Sequence, residues 1–466
     1  MLFDSTAYVF FLALVALLYW RLSFRKQNYF LLAASYFFYG WWDWRFLFLM
    51  AGSTLVDFLI ARKIGSPENP RTRRGLLLFS LVINFTFLGI FKYFNFFVDS
   101  ATHLSAMLGL KQMPVAFWQI LLPPGISFYT FQEVAYIVDV YHRKLEPAKS
   151  IVEYALFISL FPHLIAGPIQ RPSHLLPQVQ RPRTWDPQKA FAGLLLILEG
   201  LFRKVVVADN CALIANAVYA GNFGKPTIFT TCLGVFAFAW QIYGDFSGYS
   251  SIARGSAQLL GFHFMVNFRQ PYLAQSLQDF WRRWHISLST WLRDYLYISL
   301  GGNRKGKFQT YVNLMLTMLL GGLWHGANWT FVVWGGIHGM GLGIERLVMG
   351  NDAPAFLGRW ARRIVVFNLV CLAWIFFRLP SFSAAWEQIA ALAVWQWNPL
   401  YAVAIQYLVA YSVLLFLLDL QLESSKSEYF LETFGYPVRI TAGLALCAMI
   451  TLFGANQESA FIYFRF

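Results

Sequence analysis

Long apolar runs separated by short basic or aromatic turns fill almost the whole chain. They fall at Tyr8–Trp20, Tyr29–Trp42, Phe46–Ile60, Leu76–Phe91, Ile151–Ile165, Phe191–Val207, Thr227–Tyr243, Tyr311–Ile344, Ile364–Phe377, Gln388–Leu418 and Val438–Phe453. A helix of about 20 apolar residues spans the hydrocarbon layer. The pattern therefore predicts an all-α, polytopic integral membrane fold with about eleven membrane segments. No positive charge precedes the first run and no small-residue cleavage site follows it, so it is expected to stay in the protein rather than act as a signal peptide. Arg21, Arg25 and Lys26 follow directly, which places the N-terminus outside and the first loop in the cytoplasm. Two further runs joined by the tight turn Trp42-Asp43-Trp44-Arg45 return the chain to a loop, Arg62–Arg74, with five basic residues.

Two stretches break the simple pattern. Phe308–Ile344 is 37 residues without a charge before Glu345, too long for one span, and its glycines at 321, 322, 335, 336, 339, 341 and 343 invite a break or a close helix contact. It reads as two segments, or as one long tilted helix with a re-entrant piece. Between Leu121 and Tyr141, Pro123, Pro124, Gly125, Glu133 and Asp139 argue against a plain lipid-facing span. Irregular backbone at membrane depth must be buried in protein or line a cavity.

Composition narrows the class. Of 466 residues 58% are hydrophobic, 19% aromatic and only 13% charged, with a mean hydropathy of +0.50, whereas a soluble domain is about a quarter charged. A soluble enzyme is excluded. No stretch supplies a separate polar surface, so one membrane domain over 1–466 is expected, ending in an aromatic tail at 455–466. The net charge of +14 sits in short clusters between apolar runs, the signature of cytoplasmic loops, and no nucleic-acid partner is expected. Cys211, Cys232, Cys371 and Cys447 lie far apart, so neither a disulfide framework nor a metal site is indicated.

Polar groups inside such a chain are costly and carry the functional information. Of eight histidines, His103, His142 and His174 lie beside charged or proline-rich loops, where solvation explains them. His325 is different, because it sits between Trp324 and Gly326 deep in the uncharged run; it reads either as a base or as a histidine bonded to a neighbouring helix. His285 ends Trp281-Arg-Arg-Trp-His in a basic, aromatic segment. On a continuous helix, positions 281, 285, 288 and 292 would share a face, giving either an interfacial anchor or a pocket wall in which Arg282 and Arg283 hold an anionic cofactor. His325 and His338, thirteen apart, have the spacing of a two-haem helix, but no second histidine pair accompanies them. No nucleophile-elbow serine, Walker loop, dinucleotide fingerprint or H-E-x-x-H is present.

Six blocks in order carry a resemblance over residues from about 30 onward: P-P-G-I-S-F-Y-T-F-Q (123–132), F-P-H-L-I-A-G-P-I-Q-R (161–171), D-F-S-G-Y-S (245–250), F-W-R-R-W-H-I-S-L-S-T-W-L-R-D-Y-L-Y (280–297), L-G-G-N-R (300–304) and L-L-G-G-L-W-H-G-A-N-W (319–329). The chain resembles the membrane-bound O-acyltransferase (MBOAT) family, in its bacterial branch that includes the alginate O-acetyltransferase membrane subunit. The resemblance implies an O-acyltransferase with a central funnel that admits a cytoplasmic acyl thioester. It further implies that His325 is the catalytic histidine and His285 the second active-site polar residue. His285, Asn328 or the backbone N–H groups of Gly321 and Gly322 are then candidate donors to the oxyanion, with Trp324 in the pocket wall.

Acetyl-coenzyme A is the donor the family implies, with no tightly bound cofactor. Arg282, Arg283, Arg304 and Lys305 are the basic residues nearest the blocks and can hold its phosphates, or serve only as loop cations. The resemblance also implies membrane lipids around the chain, a separate periplasmic SGNH-type acetyltransferase partner, and polysaccharide synthesis and secretion proteins in a bacterial inner membrane. The terminal Phe461-Ile-Tyr-Phe-Arg-Phe466 is aromatic enough to dock. It is similar to the end of a small partner of the teichoic-acid system, which makes Tyr463 a candidate acyl carrier. A polysaccharide or lipid transporter is the competing class, and paired broken helices or inverted repeats would favour it.

Overall fold

A computed structural model of the chain describes residues 1–66, 69–110, 120–349, 358–429, 431–455 and 461–462. Among them the regular structure is helical throughout, with no strand. The chain forms two compact units: Met1–Ala190 with Ser256–Met265, and Phe191–Gly255 with Val266–Phe466. Four helical stretches are long and apolar enough to cross a membrane among the described residues: Pro70–Met107, Arg359–Arg378, Leu400–Ser425 and Tyr436–Phe453. Large apolar side chains such as Phe10, Phe48, Leu347 and Leu452 stand on the outside, as a lipid-facing surface requires.

The first unit contains α1 (Thr6–Tyr19), α2 (Phe24–Gly40), α3 (Arg45–Gly65), α4 (Pro70–Leu88), α5 (Phe94–Met107), α6 (Ile126–Tyr141), α7 (Ile151–Ser159), α8 (Phe161–Leu164) and α9 (Pro172–Gln180). The Pro123-Pro124-Gly125 turn delivers the chain into α6. Gly125 has φ +73°, and a Cβ there would meet the Leu164 carbonyl oxygen at 2.5 Å. Nearly every side chain of α6 is buried, Glu133 and Asp139 included. Glu133 Oε1 accepts from the Ser53 and Thr54 hydroxyls of α3 at 3.0 Å each. One turn along α3, Asp57 accepts from Ser80 (2.5 Å) and Asn84 (2.8 Å) of α4. These bonds replace the hydration that burial removes. The apolar run Ile151–Ile165 proves too short and too broken to span: α7 and α8 meet at a kink at Leu160, where the backbone leaves the helical region, and both are buried.

The second unit holds most of α10 (Pro187–Leu201), then α11 (Asp209–Tyr219), most of α12 (Ile228–Leu259), α13 (Leu277–Arg283), α14 (Ile286–Trp291), α15 (Gly306–His325), α16 (Trp329–Met349), α17 (Arg359–Arg378), α18 (Phe382–Ala390), α19 (Leu400–Ser425) and α20 (Tyr436–Phe453). A π-helical turn at Phe202–Ala208 follows α10 and carries two buried cations. Arg203 pairs with Glu199 at 2.8 Å, and Lys204 pairs with Asp209 at 2.7 Å and Asp245 at 3.0 Å. Removing one member of such a pair leaves a buried charge and costs about 3–5 kcal/mol.

Candidate active site

The 37-residue uncharged stretch resolves into two helices, α15 and α16, folded back on each other about a break at Gly326–Asn328. Their backbones touch. A Cβ on Gly322 would lie 2.2 Å from the Phe331 carbonyl oxygen, and one on Gly335 2.2 Å from the Met318 carbonyl oxygen. Residues three apart share a helix face, so His325, three past Gly322, is carried toward α16. Its ring stands edge-on to Trp334, the neighbour of Gly335, with centroids 5.1 Å apart. Trp324 (5.1 Å) and Phe377 (5.4 Å) close further sides, and His325 is buried. Gly326 ends the helix in extended backbone, where a Cβ would strike the Phe331 ring at 2.3 Å. The break also separates His325 from His338, so the two do not share one helix.

His285 is held by a different device. The segment expected as one helix from Trp281 onward is broken: α13 ends at Arg283, Trp284 is extended, and His285 takes the left-handed conformation at φ +43° before α14 begins. Trp281 consequently packs against Trp334 (5.7 Å) and His338 (5.1 Å), not on a common face with His285. A non-glycine residue in that conformation stores strain and persists only where its surroundings enforce it. Asn267 does so here. Its backbone carbonyl accepts the Ile286 N–H at 2.9 Å. Its side-chain Oδ1 accepts from the Ser287 N–H (3.2 Å) and hydroxyl (2.9 Å) and lies 3.2 Å from His285 Nδ1. The Ser287 backbone N–H can only donate, which fixes Oδ1 as the oxygen of the amide, and Nδ2 then donates to the Ser250 hydroxyl at 3.2 Å. The proton of neutral His285 therefore sits on Nδ1, and Nε2 presents a lone pair. Phe246 packs edge-on beneath the ring at 4.6 Å, and Trp324 lies at 5.9 Å. The His285 and His325 centroids are 6.3 Å apart.

Two cavities are lined by residues bonded to this pair or next to it in sequence. One, of about 560 Å³, carries more cations than carboxylates and is called the basic cavity: Arg203, Arg254, Arg269, Arg282, Arg283 and Lys426 line it with Glu199, Asp279, Glu423 and Glu428, which pair Arg203, Arg254 and Arg283, and with Asn267, the partner of His285. The other, of about 410 Å³, is lined by Gln241, Gly326, Asn328, Thr330 and Phe377, with Gly326 directly following His325.

The profile of MBOAT, the membrane-bound O-acyltransferase family, matches residues 142–384. The chain is 44% identical over 407 residues to the probable alginate O-acetylase AlgI of Pseudomonas aeruginosa, covering 86% of this chain and 77% of that protein. The chain belongs to the membrane-bound O-acyltransferase family. It is also similar to the peptidoglycan O-acetyltransferase of Helicobacter pylori (35% over 395 residues, 76% of this chain and 71% of that one). A more distant likeness, 28% over 285 residues, links it to the teichoic acid D-alanyltransferase of Streptococcus thermophilus. The protein is thus a multi-pass membrane O-acyltransferase, and its reaction requires an acyl donor.

Set against this membrane-bound O-acyltransferase, the residues singled out in the sequence sort by place. His285, His325 and Trp324 come together. Arg282 and Arg283 line the basic cavity, where Arg283 is ion-paired with Asp279 and Glu423 at 2.7 Å each. Arg304 and Lys305 are exposed on the turn before α15 and line neither cavity described. Asn328 holds the break, its Oδ1 accepting the Thr330 N–H (2.9 Å) and its Nδ2 donating to the Pro380 carbonyl (3.0 Å), and it also lines the cavity beside Gly326. Gly321 and Gly322 lie inside α15, so their N–H groups belong to the helical ladder and serve packing. The Nδ1–H of His285 is committed to Asn267, which makes Nε2 an acceptor and not an oxyanion donor. Tyr463 lies outside the described residues.

Sequence reasoning missed Asn267, Gln241 and Thr330. The signal for Asn267 was a lone amide in the apolar and aromatic stretch Phe262–Phe268. The D-F-S-G-Y-S block now has a physical account. Asp245 pairs with Lys204, Phe246 packs under His285, Ser250 orients Asn267, and Tyr249 stacks on Phe461.

Proposed function

We propose that this O-acyltransferase moves an acetyl group from acetyl-coenzyme A across the membrane, through His325 and a periplasmic partner, toward a periplasmic exopolysaccharide such as alginate or toward a cell-wall polymer. About eleven crossings surround a central funnel in the bacterial inner membrane, with the N-terminus periplasmic. The thioester enters from the cytoplasmic side by the basic cavity, whose arginines suit a polyphosphate donor. The acceptor approaches by the second cavity. His325 takes the acceptor proton as the hydroxyl oxygen attacks the thioester carbonyl carbon. The C–S bond then breaks, and the thiolate recovers that proton from the imidazolium. The products are an acetyl ester and free coenzyme A thiol. His285, locked as an Nδ1–H tautomer, orders the reacting groups beside it. A periplasmic SGNH-type partner and the polysaccharide machinery complete delivery to polymer.

The observation that carries this reading is the 6.3 Å approach of the His285 and His325 rings, with Asn267, the partner of His285, in the wall of the basic cavity and Gly326, next to His325, in the wall of the second. The test is transfer by the purified full chain in lipid nanodiscs from radiolabelled acetyl-coenzyme A to alginate oligosaccharide. Release of thiol that depends on His325 supports it; labelled sugar from a His325→Ala protein at the wild-type rate refutes it.

A further inference from the structure

A further cavity, of about 330 Å³, lies between the start of α13 and the helices α16 and α17. Its wall is mostly apolar, with Leu277, Ile337 and Val366 among the lining side chains. Val365 and Leu369 line it as well and stand exposed on α17, a helix long and apolar enough to cross the membrane. The cavity therefore opens sideways into hydrocarbon. Set in its wall is His338, 2% exposed, whose Nδ1 and Nε2 both lack a hydrogen-bond partner among the described residues. Phe280 (6.0 Å), Trp281 (5.1 Å) and Trp334 (4.9 Å) pack around the ring, which leaves the cavity as the side from which a partner reaches it.

Two requirements select an occupant. A neutral imidazole carries one N–H and one lone pair, and burying both unmet is costly. Apolar cavities stay dry, so the acceptor for that N–H comes from something other than water. The second requirement comes from the other end. α16 ends at Met349 and α17 starts at Arg359, so Glu345 and Arg362 lie toward the same end, while His338, seven residues before Glu345, is about 10 Å further in. Arg362 lines the cavity and donates to Gln275 Oε1 at 2.8 Å, and Arg346 and Arg359 stand exposed at the same helix ends. Glu345, also in the wall, is engaged by the N–H groups of Leu277 (2.6 Å) and Gln278 (3.0 Å). That end is therefore cationic, and basic pockets between membrane helices hold anionic headgroups.

A glycerophospholipid meets both requirements at once. Its phosphate suits Arg362, its ester carbonyls can only accept and follow the phosphate inward by the length of the glycerol, and an acyl chain fills the apolar wall. A fatty acid placed at Arg362 leaves His338 unmet. A diacylglycerol supplies the carbonyl without the charge.

We infer that this cavity is a binding site for a glycerophospholipid, with the phosphate at Arg362, an ester carbonyl on the His338 N–H and one acyl chain between α16 and α17. The assignment needs only the membrane setting and is independent of which acyl group is moved and to what. Trp334 lies between His338 and His325, 4.9 Å from one ring and 5.1 Å from the other. The lipid thus braces the part of α16 against which His325 packs.

The test uses the full chain purified in detergent and stripped of lipid, read by native mass spectrometry and a thermal melt. Titration with phosphatidylglycerol should add one tightly held lipid and raise the melting temperature. Diacylglycerol, a fatty acid and inorganic phosphate, offered separately, should each bind roughly tenfold more weakly, since each lacks a required group. His338→Phe keeps the aromatic packing and removes the N–H, and should weaken phosphatidylglycerol binding roughly tenfold. Leu369→Trp, on the exposed face, should obstruct the chain and weaken binding comparably while leaving the lipid-free melt unchanged; it decides the matter if His338→Phe does not fold. Arg362→Gln should erase the advantage of phosphatidylglycerol over diacylglycerol. A wild-type chain that retains no lipid, or equal retention by wild type, His338→Phe and Leu369→Trp, overturns the assignment and leaves only unspecific surrounding lipid. Diacylglycerol or fatty acid held by the wild type as tightly as phosphatidylglycerol overturns it too.

Discussion

The imidazole rings of His285 and His325 stand 6.3 Å apart at an interplanar angle of 65°, although they belong to unrelated interruptions of helix. One sits in the left-handed turn between α13 and α14, the other at the end of α15. Aromatic rings at 4.5–7 Å are in contact range, so a group engaged by one imidazole meets the other. Gly326, next to His325, lines the second cavity, and Asn267, which fixes His285, lines the basic one.

His325→Ala is expected to lower turnover by about 10²–10⁴-fold, the usual cost of losing a general base, with the protein still folded. Coenzyme A release, with a thermal melt in detergent, checks it. A folded variant with near wild-type turnover rules His325 out as the base.

Asn267 acts through His285. Asn267→Leu removes the acceptor that holds the Nδ1–H and frees the other tautomer. Turnover should fall by about 10- to 100-fold, the range seen when a supporting partner of an active-site histidine is lost. KM for acetyl-coenzyme A should change less. If KM for the donor rises instead and turnover is spared, Asn267 and His285 belong to donor binding.

Adjacent glycines give a sharper structural test. Gly335→Ala drives a methyl group against the Met318 carbonyl at 2.2 Å, whereas Gly336→Ala meets only a Leu319 methyl at 3.5 Å. Overpacking costs about 1–3 kcal/mol, more when backbone is the obstacle. Gly335→Ala should lower the melting temperature and, by shifting α16 against α15, the activity. Gly336→Ala should do neither, and equal behaviour of the two would show that the helices do not cross there.

The helical, membrane-embedded character was legible because apolar length alone decides it; the 37-residue stretch was legible as one of two alternatives, its Gly322 and Gly335 making the close helix contact while the break falls at Gly326–Asn328. The α6 segment was legible too: a proline pair ahead of Glu133 and Asp139 belongs in protein, and α3 supplies the hydroxyls that hold Glu133. The turn at His285 was not legible. Residues 281–292 have helical periodicity, and only the tertiary bonds from Asn267, eighteen residues earlier, override it. Gln241 was equally hidden, since one amide in a long helix says nothing until a cavity forms beside it.

The four basic candidates now separate. Arg282→Glu introduces a carboxylate into the basic cavity and should raise KM for acetyl-coenzyme A, more at low salt, because screening weakens exposed charges. The double reversal Arg304→Glu, Lys305→Glu should leave that KM within about twofold at any salt, since exposed loop charges interact weakly. Kinetics at two ionic strengths distinguish them. A larger effect from the loop pair would move the donor site to the turn before α15.

The C-terminal segment is anchored where it can be observed. Phe461 stacks on Tyr249 with centroids 4.3 Å apart, and the Ile462 N–H donates to the Asp245 carboxylate at 2.7 Å, itself paired with buried Lys204. Ile462 also lines the cavity beside Gly326. Tyr463, the next residue, is proposed as a carrier: its phenol, relieved of a proton by His325, attacks the thioester carbonyl and the thiol leaves, giving an acetylated tyrosine that passes the group outward. Peptide mass spectrometry after incubation with labelled acetyl-coenzyme A should find the label on Tyr463 in the wild-type protein and not in His325→Ala. Phe461→Ala, which loosens the anchor, should lower the labelled fraction without abolishing it. Full polymer acetylation by a Tyr463→Phe protein would end the carrier proposal, leaving Phe461 as packing on Tyr249 and Ile462 as wall of the cavity beside Gly326.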